Sequence, residues 1–191
     1  MSVPTDDLTT LLAAAGAGDQ LASNQIWTRV YDDLRDRARA ILRGREAPGG
    51  LQPTVLVHEL YGRLTRAKPL DVRSRTHFFA LAARAMRQIL VDHLRRHYAD
   101  SRGGGLPRSP MTTSIPGETW SPIDLLVLDD ALTELERLHP RQAQVVEMKY
   151  FGGMEIDEIA GELGVSPRTV DNWWATARAW LSTRLEPDLQ V

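Results

Sequence analysis

The chain has 191 residues, contains no cysteine and carries a formal net charge of −2 at pH 7. Disulfide bonds and thiolate chemistry are therefore excluded, and a hydrophobic content of 42% allows one domain core or two small ones. The N-terminus lacks a basic-then-apolar signal pattern and no apolar run reaches membrane-spanning length, so the sequence predicts a cytoplasmic protein.

Apolar residues recur at helical spacing through most of the chain, without a strand pattern or an internal repeat. Proline and glycine mark several helix ends; Pro53 and Pro140, for example, each begin a helix. The predicted helices, in chain order, cover residues 8–18, 21–45, 53–66, 76–98, 121–138 and 140–151, followed by two more in residues 155–181.

Residues 101–119 have a different composition, with Gly103-Gly104-Gly105 and three prolines among serines and threonines. This composition is typical of a flexible linker. The predicted fold is all-α: two small helical domains, residues 1–100 and 121–191, joined by a flexible linker over residues 101–120. A tether of this kind can place two DNA-binding surfaces on one duplex and raise affinity through effective concentration.

The charges are distributed unevenly along the chain. Residues 28–108 contain 17 basic and 8 acidic residues, a net of +9, whereas residues 109–191 contain 6 basic and 14 acidic residues, a net of −8. A basic stretch is the electrostatic signature of nucleic-acid binding, so the first half is expected to contact DNA. The alternative is a set of arginine-rich helices that are merely solvated.

Residues 155–181 have the spacing of a helix-turn-helix. Ala160 is small enough for a second helix to cross closely, and Gly164 suits the positive φ of a tight turn. Ser166 can cap the next helix, and Pro167 suits its first position. The apolar contacts between its two helices are expected to come from Ile159, Leu163, Val165, Val170 and Trp173. The pattern predicts sequence-specific DNA binding; the alternative is a helical hairpin that only packs.

The outward side of the second helix carries the candidate DNA contacts. Arg168 and Asn172 can donate hydrogen bonds to base edges, and Arg178 can contact phosphate. Trp174 either packs on a neighbouring helix or contacts DNA or a partner. The full predicted set on this helix is Arg168, Thr169, Asp171, Asn172 and Arg178.

Two segments together resemble the extracytoplasmic-function (ECF) sigma factors of bacterial RNA polymerase. Residues 138–170, with Glu-Ile-Ala-x-x-Leu-Gly-x-Ser-x-x-Thr-Val from Glu158, are similar to the family's fourth region. Residues 51–64 and 77–96 are similar to its second region, in a branch that carries Leu-Gln-Pro-Thr and Ile-Leu-Val-Asp-His.

The resemblance implies a protein that binds core RNA polymerase, directs it to specific promoters and assists promoter opening without covalent chemistry. No catalytic residue, cofactor or metal site is therefore expected. The first domain would bind the polymerase clamp and the minus-ten element, and the second would bind the flap and the minus-thirty-five element. An anti-sigma factor or a Ser/Thr kinase would be a further partner; no membrane contact is expected.

The predicted helix over residues 76–98 has an apolar face and a basic face, and in the family it meets the minus-ten region. Arginines can contact phosphate, and Gln88 and Asp92 are the expected base contacts. The loop before it, residues 67–75, matches the place where the family holds an unstacked base, with stacking left to His77 or Phe78. The predicted minus-ten set is Arg73, Arg75, Arg84, Arg87, Gln88, Asp92, Arg95 and Arg96.

The clamp contact falls on the helix that Pro53 begins. Many family members carry acids at its start, whereas here residues 51–54 read Leu-Gln-Pro-Thr. Phosphorylation of Thr54 would add about −1.5 to −2 charges at a helix N-terminus and could switch on polymerase binding. The alternative is an ordinary threonine at a helix start. The expected polymerase contacts are Thr54, His58, Glu59, Tyr61 and Arg63.

Other classes of protein fit less well. A stand-alone helix-turn-helix regulator, whose first domain senses a ligand or dimerises, does not explain the basic helix before the linker. A recombinase with a DNA-binding tail would need a catalytic serine or tyrosine with an arginine cluster, for which the first domain offers little room. His93 and His97 have metal-ligand spacing, but no further ligand is obvious.

Overall fold

The computed structural model describes residues 10–11, 14–42, 51–66, 72–101 and 122–185. These residues are helical apart from short connections, and no strand occurs among them, which confirms the all-α prediction. The predicted linker lies outside the described residues except for Ser101, as do parts of the first predicted helix and of the loop over residues 67–75. The helices are α1 (Gln20–Leu42), α2 (Pro53–Arg66), α3 (Arg75–Ser101), α4 (Pro122–Leu138), α5 (Pro140–Val146), a π-helical turn (Glu147–Phe151), α6 (Ile156–Leu163) and α7 (Pro167–Leu185).

Helices α1, α2 and α3 form the first half of the molecule, with α2 packed against both of its neighbours. The side chain of Asp19 caps α1 by accepting hydrogen bonds from the N–H groups of Leu21 (2.8 Å) and Ala22 (3.2 Å). Trp27 is buried at the centre of this half. Its ring packs edge-on against the rings of Tyr61 and Phe78, with distances of 4.8 and 5.8 Å between the ring centres.

Helices α4 to α7 form the second half, in which α5 and α4 both pack against α7. Gly164 has a φ of +66°, the left-handed conformation that the turn between α6 and α7 requires. The N–H of Thr169 donates to Ser166 Oγ at 3.2 Å, which caps α7 as expected. Ile159 and Val170 are fully buried beneath the turn.

The two halves pack directly against each other, because α3 contacts the π-helical turn, α4 and α6. The N–H of Gly152 donates to the carbonyl oxygen of Glu147 at 3.1 Å, which ends the π-helical turn. A Cβ at Gly152 would clash with the Met148 carbonyl oxygen and lie 3.1 Å from Ala83 Cβ on α3. Glycine therefore allows a close approach between the halves, and one buried apolar cluster runs through both.

Candidate nucleic-acid and polymerase interface

The outward face of α7 is accessible. Arg168, Asp171 and Asn172 are all exposed, while Thr169 is partly buried. Thr169 Oγ1 lies 2.9 Å from Ser166 Oγ in a hydrogen bond, so its hydroxyl supports the cap. The structure thus places three predicted contacts where DNA could reach them and gives the fourth a local structural role.

Arg178 lies further along α7 in a more enclosed setting. Its guanidinium carbon is 5.8 Å from the centre of the Trp174 ring, and its Nε is buried without a protein partner. Trp174 is partly buried and packs against the core. This environment favours the packing alternative for Trp174 and leaves only the outer part of Arg178 for a phosphate.

The predicted minus-ten residues on α3 divide into two groups. Gln88, Asp92 and Arg96 are exposed. Asp92 pairs with Arg63 of α2 at 3.4 Å, and Arg96 Nε donates to the Asp92 carbonyl oxygen at 3.1 Å. These three side chains form a small accessible polar surface.

Arg87 belongs to the second group and is not on an exposed face, contrary to the sequence prediction. Its side chain is only 8% exposed. Its Nε donates to Asp129 Oδ1 at 2.8 Å and its Nη1 to Glu147 Oε1 at 3.1 Å. Its Nη2 donates to the Asp129 carbonyl oxygen at 3.0 Å and to Thr133 Oγ1 at 3.2 Å. The physical reason for the difference is docking of the acidic second half on α3.

Two further arginines of α3 also face the second half. Arg84 lies 3.4 Å from Glu136, and Arg95 lies 3.2 Å from Asp129 and 3.5 Å from Asp130. These outer pairs are substantially exposed, so each contributes little stability. In the sequence, only the opposite charges of the two halves indicate that these acids could be partners of the arginines.

Glu147 is an acid of this contact whose side chain is only 15% exposed. Burial raises the pKa of its carboxyl group, and the nearby Arg87 guanidinium opposes that rise only in part. Arg84 also favours the charged form, whereas Glu136 disfavours it. The contact therefore holds a carboxylate whose lost hydration is not fully offset by its partner.

The residues around the start of α3 form a separate cluster. Arg73 is exposed, and its N–H donates to His77 Nδ1 at 3.2 Å. Arg75 forms an ion pair with Asp33 of α1, and its guanidinium lies 4.9 Å from the Phe79 ring. Phe78 is fully buried, so it cannot stack on a base, and of the two candidates only His77 is partly accessible.

A surface groove between α2 and α3 collects four of the five predicted polymerase contacts: Thr54, His58, Glu59 and Arg63. Asp92 and Arg96 line the opposite wall. Tyr61 lies outside the groove; it packs against Trp27, and its hydroxyl donates to Asn24 Oδ1 at 3.5 Å. Thr54 is partly buried in the first turn of α2.

The described residues are helical apart from short connections, and they include a capped helix after a tight glycine turn and an arginine-rich helix in the other half. These are features of a transcription factor that contacts DNA. The family model for ECF sigma factors matches residues 5–187, so the chain belongs to the ECF sigma factor family. As a sigma factor, it binds core RNA polymerase and promoter DNA and directs the polymerase to promoters. No curated protein sequence matches the chain. None of the described helices is long and apolar enough to cross a bilayer.

Proposed function

We propose that the two halves contact two different promoter elements. The exposed face of α7, with Arg168, Asp171 and Asn172, binds the minus-thirty-five element. The accessible part of α3, with Gln88 and Asp92, binds the minus-ten element together with the arginines around it. The observation that carries this proposal is the geometry of α7, whose cap and turn leave a polar face free.

We infer that the groove between α2 and α3 is where core polymerase binds, through its clamp. Thr54, His58, Glu59 and Arg63 line it, and Tyr61 adds an exposed aromatic edge nearby. Aromatic and arginine side chains are the usual anchors of protein interfaces. The second half binds the polymerase flap, and the complex acts in the cytoplasm, where polymerase and chromosomal DNA are found.

We further propose that charge at Thr54 controls this interface. Among the groove residues carried by α2, Glu59 is the only acid, so a phosphate at the start of α2 would change the local charge greatly. The regulator would then be a Ser/Thr kinase. An anti-sigma factor would instead act without phosphorylation of Thr54. Thr54→Glu is expected to bind core polymerase more tightly than Thr54→Ala; equal affinities for both variants and the wild type would contradict the proposal.

A promoter library transcribed by core polymerase with this chain tests the assignment of the two elements. Sequencing of the templates selected by the wild type should reveal two separated elements upstream of the start site. Asn172→Ala should change base preference only in the upstream element, and Gln88→Ala only in the downstream one. The reverse pattern, or one element affected by both variants, would refute the assignment.

A further inference from the structure

The polar face of α7 contains an acid, Asp171, whose side chain makes no polar contact within the described part of the chain. It is exposed, and none of the hydrogen bonds and ion pairs among the described residues involves its carboxylate. Arg168, three positions earlier, is also exposed and unpaired among these residues. Residues three apart on a helix are neighbours, so the two side chains lie on the same face without pairing. Both are therefore available to bind an external group.

The buried side of α7 fixes the direction in which Asp171 points. Val170, the preceding residue, is fully buried, and Trp173 packs against the core. Ser166 caps the helix through its contact with the N–H of Thr169. Asp171 consequently points outward from the N-terminal part of the helix, which is the part that contacts base edges in helix-turn-helix proteins.

An acid at this place weakens binding to the DNA backbone. Phosphates attract arginine and lysine and repel carboxylates, and residues 109–191 already contain 14 acidic and only 6 basic residues. An ionised carboxylate can only accept hydrogen bonds. The groups of DNA that Asp171 can bind favourably are therefore hydrogen-bond donors, and in a duplex the accessible donors are on the bases.

Only two base groups in the major groove donate hydrogen bonds: N4 of cytosine and N6 of adenine. Adenine also presents the acceptor N7 beside its donor, and two acceptors repel each other. Guanine presents two acceptors, and thymine presents an acceptor and a methyl group. Cytosine is therefore the one base whose own edge has a donor and no acceptor, which is the edge that a carboxylate favours.

The next exposed residues of α7 do not offer an alternative polar contact. Ala175 has no polar side-chain atom, and the Thr176 hydroxyl donates its hydrogen to the Asn172 carbonyl oxygen at 2.8 Å. Arg168, Asp171 and Asn172 therefore carry the polar chemistry of the exposed N-terminal face, and Asp171 is its only acid.

We propose that Asp171 determines specificity for a cytosine in the minus-thirty-five element and rejects other bases at that position by repulsion. The inference rests on the proposed binding of this element by α7. Arg168 complements Asp171, because guanine, the partner of cytosine, carries the acceptors that a guanidinium binds. An acid that disfavours the wrong bases adds specificity at a cost in overall affinity for DNA.

The experiment uses holoenzyme, assembled from core polymerase and the full-length chain, and a promoter library in which the minus-thirty-five element is randomised. Asp171→Asn keeps the size of the side chain and introduces an amide, which binds adenine through N6 and N7. The wild type should select cytosine at one position, and the variant should select adenine there. The ratio of affinities for the cytosine and adenine templates should fall by roughly tenfold or more at fixed salt.

Asp157→Asn is the matched control, because Asp157 is an exposed acid in the first turn of α6 and the substitution removes the same charge. It should change the affinity for all templates by a similar factor and leave base preference unaltered. Circular dichroism should show unchanged helix content in both variants. If Asp171→Asn also gives a uniform change with the wild-type preference, the acid only repels phosphate and the proposal is overturned.

Arg168→Ala and Asn172→Ala separate this inference from the proposed function. If these two variants change base preference in the minus-thirty-five element but Asp171→Asn does not, the cytosine assignment is wrong and binding of this element by α7 stands. If none of the three variants changes preference there, the proposed function itself fails. A wild-type element without a selected cytosine would also refute the role of Asp171.

Discussion

Single residues decide how the two halves of this sigma factor meet. Arg87 is buried and fully engaged, whereas Arg96 on the same helix remains exposed. Helical periodicity predicted correctly that both arginines lie outside the face of α3 that packs into the core of the first half. It could not predict that the second half would cover Arg87, because that depends on the arrangement of elements distant in sequence.

The protonation of Glu147 should affect stability in a defined direction. Burial raises the pKa of this carboxyl group in the folded chain, so the folded state binds a proton more readily than the unfolded state. Protonation of Glu147 therefore stabilises the folded state. This contribution is complete below the ordinary carboxyl pKa and is lost as the pH rises through the raised pKa of Glu147. Lowering the pH through this window should therefore favour the folded state at this residue.

Glu147→Gln removes that proton uptake. Urea unfolding at several pH values should show that the variant lacks this part of the wild type's pH dependence, measured as the difference in unfolding free energy between the two proteins. Asp130→Asn, at an exposed acid on the same side, serves as the control. If the difference in unfolding free energy between wild type and Glu147→Gln stays constant as the pH rises from the ordinary carboxyl pKa through the raised one, the raised pKa does not belong to Glu147.

Gly152 should be intolerant of even one added methyl group. Gly152→Ala places a Cβ against the Met148 carbonyl oxygen and Ala83, so we expect a loss of about 1–3 kcal/mol of stability. Gly161→Ala is the matched control, because no atom lies within 4 Å of its added Cβ and α6 should gain up to about 1 kcal/mol. Denaturant unfolding compares the two; equal effects would show that the close approach at Gly152 is not needed.

At the scale of elements, local chemistry predicted most of what the structure contains. Pro53 begins α2, Gly164 forms the turn between α6 and α7, and Ser166 caps α7, each as expected. These features depend on residues a few positions apart, and the sequence displays them directly. The π-helical turn at Glu147–Phe151 was predicted only as the end of an ordinary helix, because its form depends on packing against α3.

Helix α7 should contribute to promoter affinity through its exposed face. Asn172→Ala and Arg168→Ala are each expected to weaken holoenzyme binding to a cognate promoter by about tenfold, since a base contact of this kind contributes about 1–3 kcal/mol. Thr183→Ala, an exposed residue elsewhere on α7, should leave binding unchanged. A fluorescence binding assay at fixed salt measures all three; equal losses would indicate a general effect on α7 rather than base contacts.

At the scale of the whole molecule, the charge division has two consequences. It is the basis of our proposal that the first half contacts DNA, and it pairs acids of the second half with arginines of α3. The sequence predicted the division and the family, but it led us to expect two independent DNA-binding surfaces. The packing of α3 on the second half shows that opposite charges within one chain also pair with each other.

Run-off transcription with purified core polymerase is the most direct test of the central claim that this chain recruits polymerase to promoters. We expect initiation at defined start sites only when the chain is present, and loss of that initiation when the upstream or downstream promoter element is scrambled. Initiation that does not depend on the chain, or specific DNA binding by the chain with no effect on core polymerase, would contradict the claim.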